Sequence, residues 1–162
     1  MDISIKKIVL FCFMFFLLSC SNEGRRISAF NLKTIDGNNI SDKNLEGKIT
    51  VINVWATWCG SCLGEIPELN ELAQGYSQDT SVLFLALSDE SEEKLKRFLL
   101  RRAFNFKQIP AAEELTNVLQ TRLVKTYPQH IIIGKDMKIK FEHTGKLKNI
   151  SEILGENIEK AR

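Results

Sequence analysis

The chain has 162 residues, 26% of them charged and 44% hydrophobic, with a formal net charge of +2. This is ordinary globular usage, which excludes a disordered or fibrous chain, and the length allows one domain with a real core after loss of any targeting segment. Lysines and arginines are interspersed with acidic residues and form no basic stripe with aromatics, so nucleic acid is excluded as a partner.

The N-terminus carries Lys6 and Lys7, then an uncharged apolar run from Ile8 to Leu18, then Ser19 and Cys20. Eleven apolar residues fall short of the roughly 20 that a membrane-spanning helix needs and fit the apolar region of an export signal. Leu17-Leu18-Ser19-Cys20 resembles a bacterial lipobox, in which the cysteine is acylated and becomes the first residue of the mature protein, against a plain secretory signal or an uncleaved anchor helix with an incidental cysteine. The expected division is a lipoprotein signal peptide over 1–19, a lipidated tether over 20–26 with Cys20 as the lipid site, and a folded domain over 27–162. Removal of Cys12 with the signal and acylation of Cys20 leave Cys59 and Cys62 as the thiols of the mature chain. Two cysteines supply neither a multi-disulfide framework nor the four ligands of a structural zinc site, and no metal or other cofactor is expected.

The domain opens with Phe30 and Leu32 alternating with polar residues up to the turn signal Asp36-Gly37-Asn38, which predicts an extended lead-in or hairpin capping a sheet edge. Ile49 to Trp55 is β-branched and almost wholly apolar, the pattern of a strand covered on both faces. Ile66, Leu69, Leu72 and Tyr76 recur at helical spacing, predicting a helix over 61–76 kinked at Pro67. Val82 to Leu87 reads as a second buried strand. Asp89 with Glu92 resembles a capping box that opens a helix with an apolar face of Leu95, Phe98 and Leu99, ending at Arg101 and Arg102. A short helix is predicted within Ala111 to Leu119, and a strand over Gln129 to Ile133 follows Tyr127-Pro128. After the turn Gly134-Lys135-Asp136, Met137, Ile139 and Phe141 alternate with charged residues as a strand with one wet face. Ile150, Ile153, Leu154 and Ile158 predict a closing amphipathic helix.

Two thiols separated by two residues can close a disulfide at the start of a helix, where the backbone turns enough to bring the sulfurs together. Unpaired N–H groups and the helix dipole at that place favour the thiolate, the nucleophile of disulfide exchange. Strand, Cys-x-x-Cys and helix therefore make a reversible redox group, with Cys59 as the exposed attacker and Cys62, one turn in, as the buried resolving thiol. The competing inert structural disulfide would close a tiny loop and gain little chain entropy.

Trp55-Ala56-Thr57-Trp58-Cys59-Gly60-Ser61-Cys62 resembles the active-site motif of the thioredoxin superfamily, and the chain from Phe30 to Gly145 is similar to its membrane-anchored TlpA/ResA-like branch. The resemblance implies an α/β thioredoxin-like fold, a central mixed β-sheet flanked by helices, with an N-terminal extended or hairpin extension. It implies dithiol-disulfide exchange with protein clients on the periplasmic or extracytoplasmic side of the cell envelope, electrons from an upstream membrane donor, and reduction of apocytochrome during cytochrome c maturation or of other exported thiols. Asn53 stands where ordinary thioredoxins carry a buried aspartate, and Asn is familiar there in the TlpA/ResA-like branch. Glu65 matches that branch's glutamate near the cysteines, able to raise a thiol pKa or carry its proton, against the plainer reading of a first-turn charge that complements the dipole. Ser61 replaces the usual proline, which bears on the redox potential. Pro128 matches the family's cis-proline, against a trans proline that opens a strand. With Gly60 and Ser61 between the cysteines, the resemblance makes Trp58, Tyr127, Pro128 and Gly145 the substrate-binding rim, whereas Trp55 belongs to the core. His130 and His143 are read as solvated residues without metal-ligand spacing to the cysteines.

Two other functions compete on this fold. A peroxiredoxin-like peroxidase would carry proline seven and Thr or Ser three residues before its reactive cysteine, where this chain has Ile52 and Ala56. A non-catalytic metallochaperone or binding module would more typically place three residues between its cysteines and add a later histidine ligand.

Overall fold

The computed structural model describes residues 24–120 and 124–162. The segment predicted as a signal peptide, Cys12, the predicted lipid site Cys20 and the start of the predicted tether lie outside the described residues.

The lead-in forms its own two-stranded antiparallel sheet, β1 (Asn31–Lys33) with β2 (Asn39–Ser41). The next five strands are β3 (Ile49–Val54), β4 (Val82–Leu87), β5 (Lys107–Ile109), β6 (Gln129–Ile133) and β7 (Ile139–Thr144). They form one mixed sheet in the order β5-β4-β3-β6-β7. β3 runs parallel to β4, and β4 to β5, whereas β6 is antiparallel to β3 and β7 to β6. Four helices pack on the sheet: α1 (Gly60–Gly75), α2 (Glu92–Leu99), α3 (Glu113–Leu119) and α4 (Ile150–Lys160). Central position explains why β3 is apolar almost throughout. Ile49 and Val51 face α1 and α4, where Ile66, Leu69, Leu72, Ile150, Leu154 and Ile158 complete one core. Ile52 and Val54 face the other way into a second core with Leu85, Leu87, Leu115 and Leu119. Period-two alternation thus sends apolar side chains to two covered faces.

Ile40 and Leu45 bury the lead-in against the second core, and the Ile35 N–H donates to the Gln108 carbonyl of edge strand β5 at 2.9 Å. Trp55 is fully buried, as expected, edge-on to Phe98 and Phe104 at 5.2 and 5.3 Å.

Four local expectations need correction. The N-cap of α2 is Ser91, whose side chain accepts from the Lys94 N–H, and the carboxylate of Asp89 is engaged elsewhere. That helix ends at Leu99, so Lys96 and Arg97 occupy its last turn and Arg101 and Arg102 lie beyond it. Met137 sits in a turn at φ 64° with its side chain buried, and β7 begins only at Ile139. Finally, β5 adds a strand that sequence periodicity does not announce, since three residues are too few to display a period. Helix α1 falls one residue earlier than its predicted bounds and continues on both sides of Pro67. Among the described residues no helix is long and apolar enough to cross a membrane.

Candidate active site

The site lies where β3 hands over to α1. Cys59 is the N-cap of α1 and forms a disulfide with Cys62, three residues on, with Cα atoms 5.3 Å apart. The Cys59 sulfur accepts from the Cys62 N–H at 3.2 Å, so it occupies the place of a capping oxygen and receives one of the helix's otherwise unpaired donors. That donor and the dipole behind it stabilise a negative sulfur at Cys59 once the bond is opened. In the closed disulfide both cysteines are largely covered, Cys59 at 6% and Cys62 at 2% exposure, so Cys59 is the more accessible residue of the two without being exposed. The Ser61 hydroxyl stands 3.4 Å from the Cys59 sulfur, and Gly60 is exposed beside it.

Beneath the pair, Glu65 is 1% exposed. It lies past the first turn of α1, so it does not serve as a first-turn surface charge. One carboxylate oxygen accepts from the Leu147 N–H at 2.7 Å, and the other faces His130 Nε2 at 3.3 Å, within ion-pair range but out of hydrogen-bond alignment. His130 is fully buried, which corrects its reading as a solvated strand-end residue. Its register opposite Asn53 puts the two side chains together, with Asn53 Nδ2 3.0 Å from His130 Nδ1, and its ring stacks on that of His143. A Gln-His pair in an apolar strand gives no hint of this; the partner lies on a helix distant in sequence.

The Tyr127–Pro128 peptide bond is cis. The Pro128 carbonyl accepts from the Gly145 N–H at 2.8 Å, and Gly145 has φ +100°, a conformation that favours glycine. Trp58 is 65% exposed, and its ring meets that of Tyr127 edge-on at 5.5 Å. The structure thus brings Trp58, Cys59, Gly60, Ser61 and Cys62 together on one loop and helix start, and sets Tyr127 against Trp58. Among the described residues no group of three or more His, Cys, Asp or Glu side chains could hold a metal ion.

Sequence reasoning gave Asp89 only a capping role and passed over Glu90; both follow the end of β4. Asp89 accepts from Thr116 Oγ1 at 2.6 Å, Lys125 Nζ at 2.7 Å and the Tyr127 hydroxyl at 2.9 Å. Burial pushes its pKa up, but these three donors outweigh that and hold it below the usual carboxylate range. Glu90 accepts from the Thr57 N–H at 2.6 Å and the Thr57 hydroxyl at 2.9 Å and pairs with Lys94. Burial again opposes, and Lys94 and Thr57 again win, leaving its pKa lowered. The one available signal was position: two carboxylates at the carboxyl end of a buried parallel strand, where α/β sheets build their sites.

A family model described as AhpC/TSA matches residues 24–142, nearly three quarters of the chain, Cys59 and Cys62 included. The chain belongs to the AhpC/TSA family. The thiol-disulfide oxidoreductase ResA of Bacillus cereus is 30% identical over 116 residues, which span 72% of this chain and 66% of that protein. Among solved structures, the thiol:disulfide interchange protein of the thioredoxin family from Chlorobium tepidum TLS superposes with a TM-score of 0.74 at 19% identity, over 88% of this chain and 99% of that one. The pneumococcal exposed lipoprotein thioredoxin of Streptococcus pneumoniae strain TIGR4 gives 0.65 at 25% identity, over 82% and 99%. The fold is therefore thioredoxin-like. With its cysteine pair at bonding distance on the N-terminus of α1, this AhpC/TSA member is a thiol-disulfide oxidoreductase.

Proposed function

We propose that the protein is an exported, lipid-anchored reductant of protein disulfides that works at the extracytoplasmic face of the cell envelope. The observation that carries the reading is the Cys59–Cys62 disulfide at the N-terminus of α1 beside the Tyr127–Pro128 loop. In the reduced enzyme the Cys59 thiolate attacks one sulfur of a client disulfide, and the client's other sulfur leaves as a thiolate and takes a proton. The Cys62 thiolate then attacks the Cys59 sulfur, which releases the second client thiol and closes the Cys59–Cys62 bond. Two electrons pass to the client, and an upstream membrane donor returns them.

Each rim residue has a part in this reading. Trp58, Gly60, Ser61, Tyr127, Pro128 and Gly145 line the face on which an extended client segment lies. Glu65, buried one turn beyond Cys62, disfavours the thiolate by like-charge repulsion and can exchange its proton, which tunes the pair towards reduction. Anchoring rests on Cys20 after the apolar segment, and the likeness to an exposed lipoprotein thioredoxin supports it. Apocytochrome disulfides, reduced to thiols in cytochrome c maturation, are the client class this reading favours. Ile52 and Ala56, in place of the proline and hydroxyl residue of a peroxidase, set that alternative below disulfide exchange, and the missing third inter-cysteine residue does the same for a metallochaperone.

The test is the reduction potential of the pair in glutathione buffers. A reductant should lie nearer to thioredoxin, about −270 mV, than to the oxidant DsbA, about −120 mV. A value close to the latter would reverse the proposed direction of flow.

A further inference from the structure

Asp89 and Glu90 are neighbours in sequence, yet they hold two different loops. Glu90 grips Thr57 through both the backbone N–H and the hydroxyl, and Thr57 immediately precedes Trp58. Asp89 grips the hydroxyl of Tyr127, immediately before Pro128, with Lys125 and Thr116 completing its set of donors. The two aromatic rings that result stand edge-to-face at 5.5 Å beside Cys59. Glu90 is itself fixed by Lys94, by the Ser88 hydroxyl and by its own carbonyl, which accepts from the Ala111 N–H. Both carboxylates are thus bound at a rigid strand end, and each passes that position to one ring.

What the rings leave free decides what they can recognise. The Tyr127 hydroxyl is already spent on Asp89, and burial together with that carboxylate pushes its pKa up to about 12, so it stays protonated. It offers a client ring surface and no free hydroxyl donor. Trp58 is 65% exposed and offers the face and edge of an indole. A polar or acidic side chain laid there would lose water and find the Trp58 indole N–H as its one donor on the two rings, whereas an apolar one would gain contact area and aromatic packing.

We infer that Asp89 and Glu90 are positioning residues that hold Trp58 and Tyr127 as an apolar slot, and that the slot selects client segments with a large apolar side chain next to the reacting cysteine. The inference rests on the disulfide-reductant reading and adds to it a client chemistry and two residues outside the Cys-x-x-Cys motif.

The experiment uses the reduced full chain and two synthetic peptides, each with one disulfide, identical except for leucine or serine next to the attacked cysteine. The readout is the ratio of kcat/KM for the leucine peptide to that for the serine peptide. Loss of stability or of general reactivity lowers both rates together and leaves the ratio alone. The wild type should favour the leucine peptide, chiefly through KM. Asp89→Ala frees the Tyr127 hydroxyl and should lower the ratio about tenfold, the effect of about 1.4 kcal/mol, close to the lower end of what one hydrogen bond to a charged group contributes. Asp89→Asn keeps an acceptor for that hydroxyl and should restore most of the ratio. Tyr127→Phe removes only the tie to Asp89 and serves as the second variant should Asp89→Ala fail to fold; it should lower the ratio in the same direction. Glu90→Ala should do likewise through Trp58. An unchanged ratio in Asp89→Ala or, should that variant not fold, in Tyr127→Phe would overturn the inference, as would a wild type that does not distinguish the peptides while reducing both. A wild type that reduces neither peptide would overturn the reductant reading itself, a separate and recognisable failure.

Discussion

Glu65→Gln isolates the charge beside the sulfurs. Glutamine has the size of glutamate, and its carbonyl oxygen can still accept the Leu147 N–H now bound at 2.7 Å, so the fold should survive while the negative charge goes. Side chains three apart on a helix have Cβ atoms about 6 Å apart, and two unit charges at that distance interact by about 2.8 kcal/mol at an effective dielectric constant of about 20. The Leu147 N–H and the His130 ring, 3.3 Å from the other oxygen, offset part of that charge. Half of the repulsion, about 1.4 kcal/mol, lowers the affected thiol pKa by about one in the variant. The redox consequence depends on pH. Where the thiols are protonated in both proteins, the charge has no thiolate to repel and the potentials should coincide. In alkaline buffer, where both are ionised, the reduced variant is more stable by the same energy, and its two-electron potential should rise by about 30 mV. The assay titrates thiolate ultraviolet absorbance in the reduced proteins and equilibrates both with dithiol buffers at an acidic and an alkaline pH. Equal thiol pKa values, with equal potentials at both pH values, would refute the tuning role and leave Glu65 as the fold's partner for Leu147 and His130.

Three further outcomes are expected. Cys20→Ala should move the protein from the membrane to the soluble fraction of cells while leaving exchange by the purified protein intact, and a variant that stays with the membrane would contradict lipid anchoring. Asp89 and Glu90 have lowered pKa values, so their contribution to stability is present above the ordinary carboxylate range, near pH 4, and is lost as the pH falls through the lowered values; near-ultraviolet circular dichroism of the Trp58–Tyr127 region should therefore decay in acid, and a signal that stays constant throughout an acid titration would contradict these links. Leu85→Ala, at a fully buried position of β4 in the second core, should cost about 2–5 kcal/mol in urea unfolding, and a cost under about 1 kcal/mol would contradict the two-sided packing of the sheet.

The elements legible in the sequence were those whose burial writes a period. β3 and β4 are apolar runs because helices cover both their faces, and α1 and α4 repeat their apolar residues because one side of each meets the sheet. The Cys-x-x-Cys at the strand-helix junction was legible for a chemical reason, since two thiols at a helix N-terminus with no second pair to complete a zinc site make a redox group. What remained hidden depends on partners far away in the chain. β5 is a strand only because β4 lies beside it, and Lys107-Gln108-Ile109 alone has no pattern. Met137 took the alternating place of a strand residue while adopting the left-handed conformation of a turn. His130 is polar and looked solvated, yet Asn53 from β3 and Glu65 from α1 meet it in the interior. Asp89 looked like a helix cap because Glu92 stands three residues on, yet Ser91 caps the helix, and only the three-dimensional arrival of Tyr127 and Lys125 gives the Asp89 carboxylate other work.

The division of labour between the two sulfurs is the centre of the account, and trapping tests it most directly. Reduced Cys62→Ser and Cys59→Ser variants would each be mixed with a peptide disulfide, quenched with acid, and resolved under non-reducing conditions by mass. Cys62→Ser retains the attacking thiol at the helix N-terminus and lacks the thiol that would release the client, so a mixed disulfide through Cys59 should accumulate. Cys59→Ser should give no adduct and reduce nothing. Adducts that form on Cys62 in the Cys59→Ser variant, with none on Cys59 in the other, would contradict the assignment and with it the mechanism built on the N-cap sulfur.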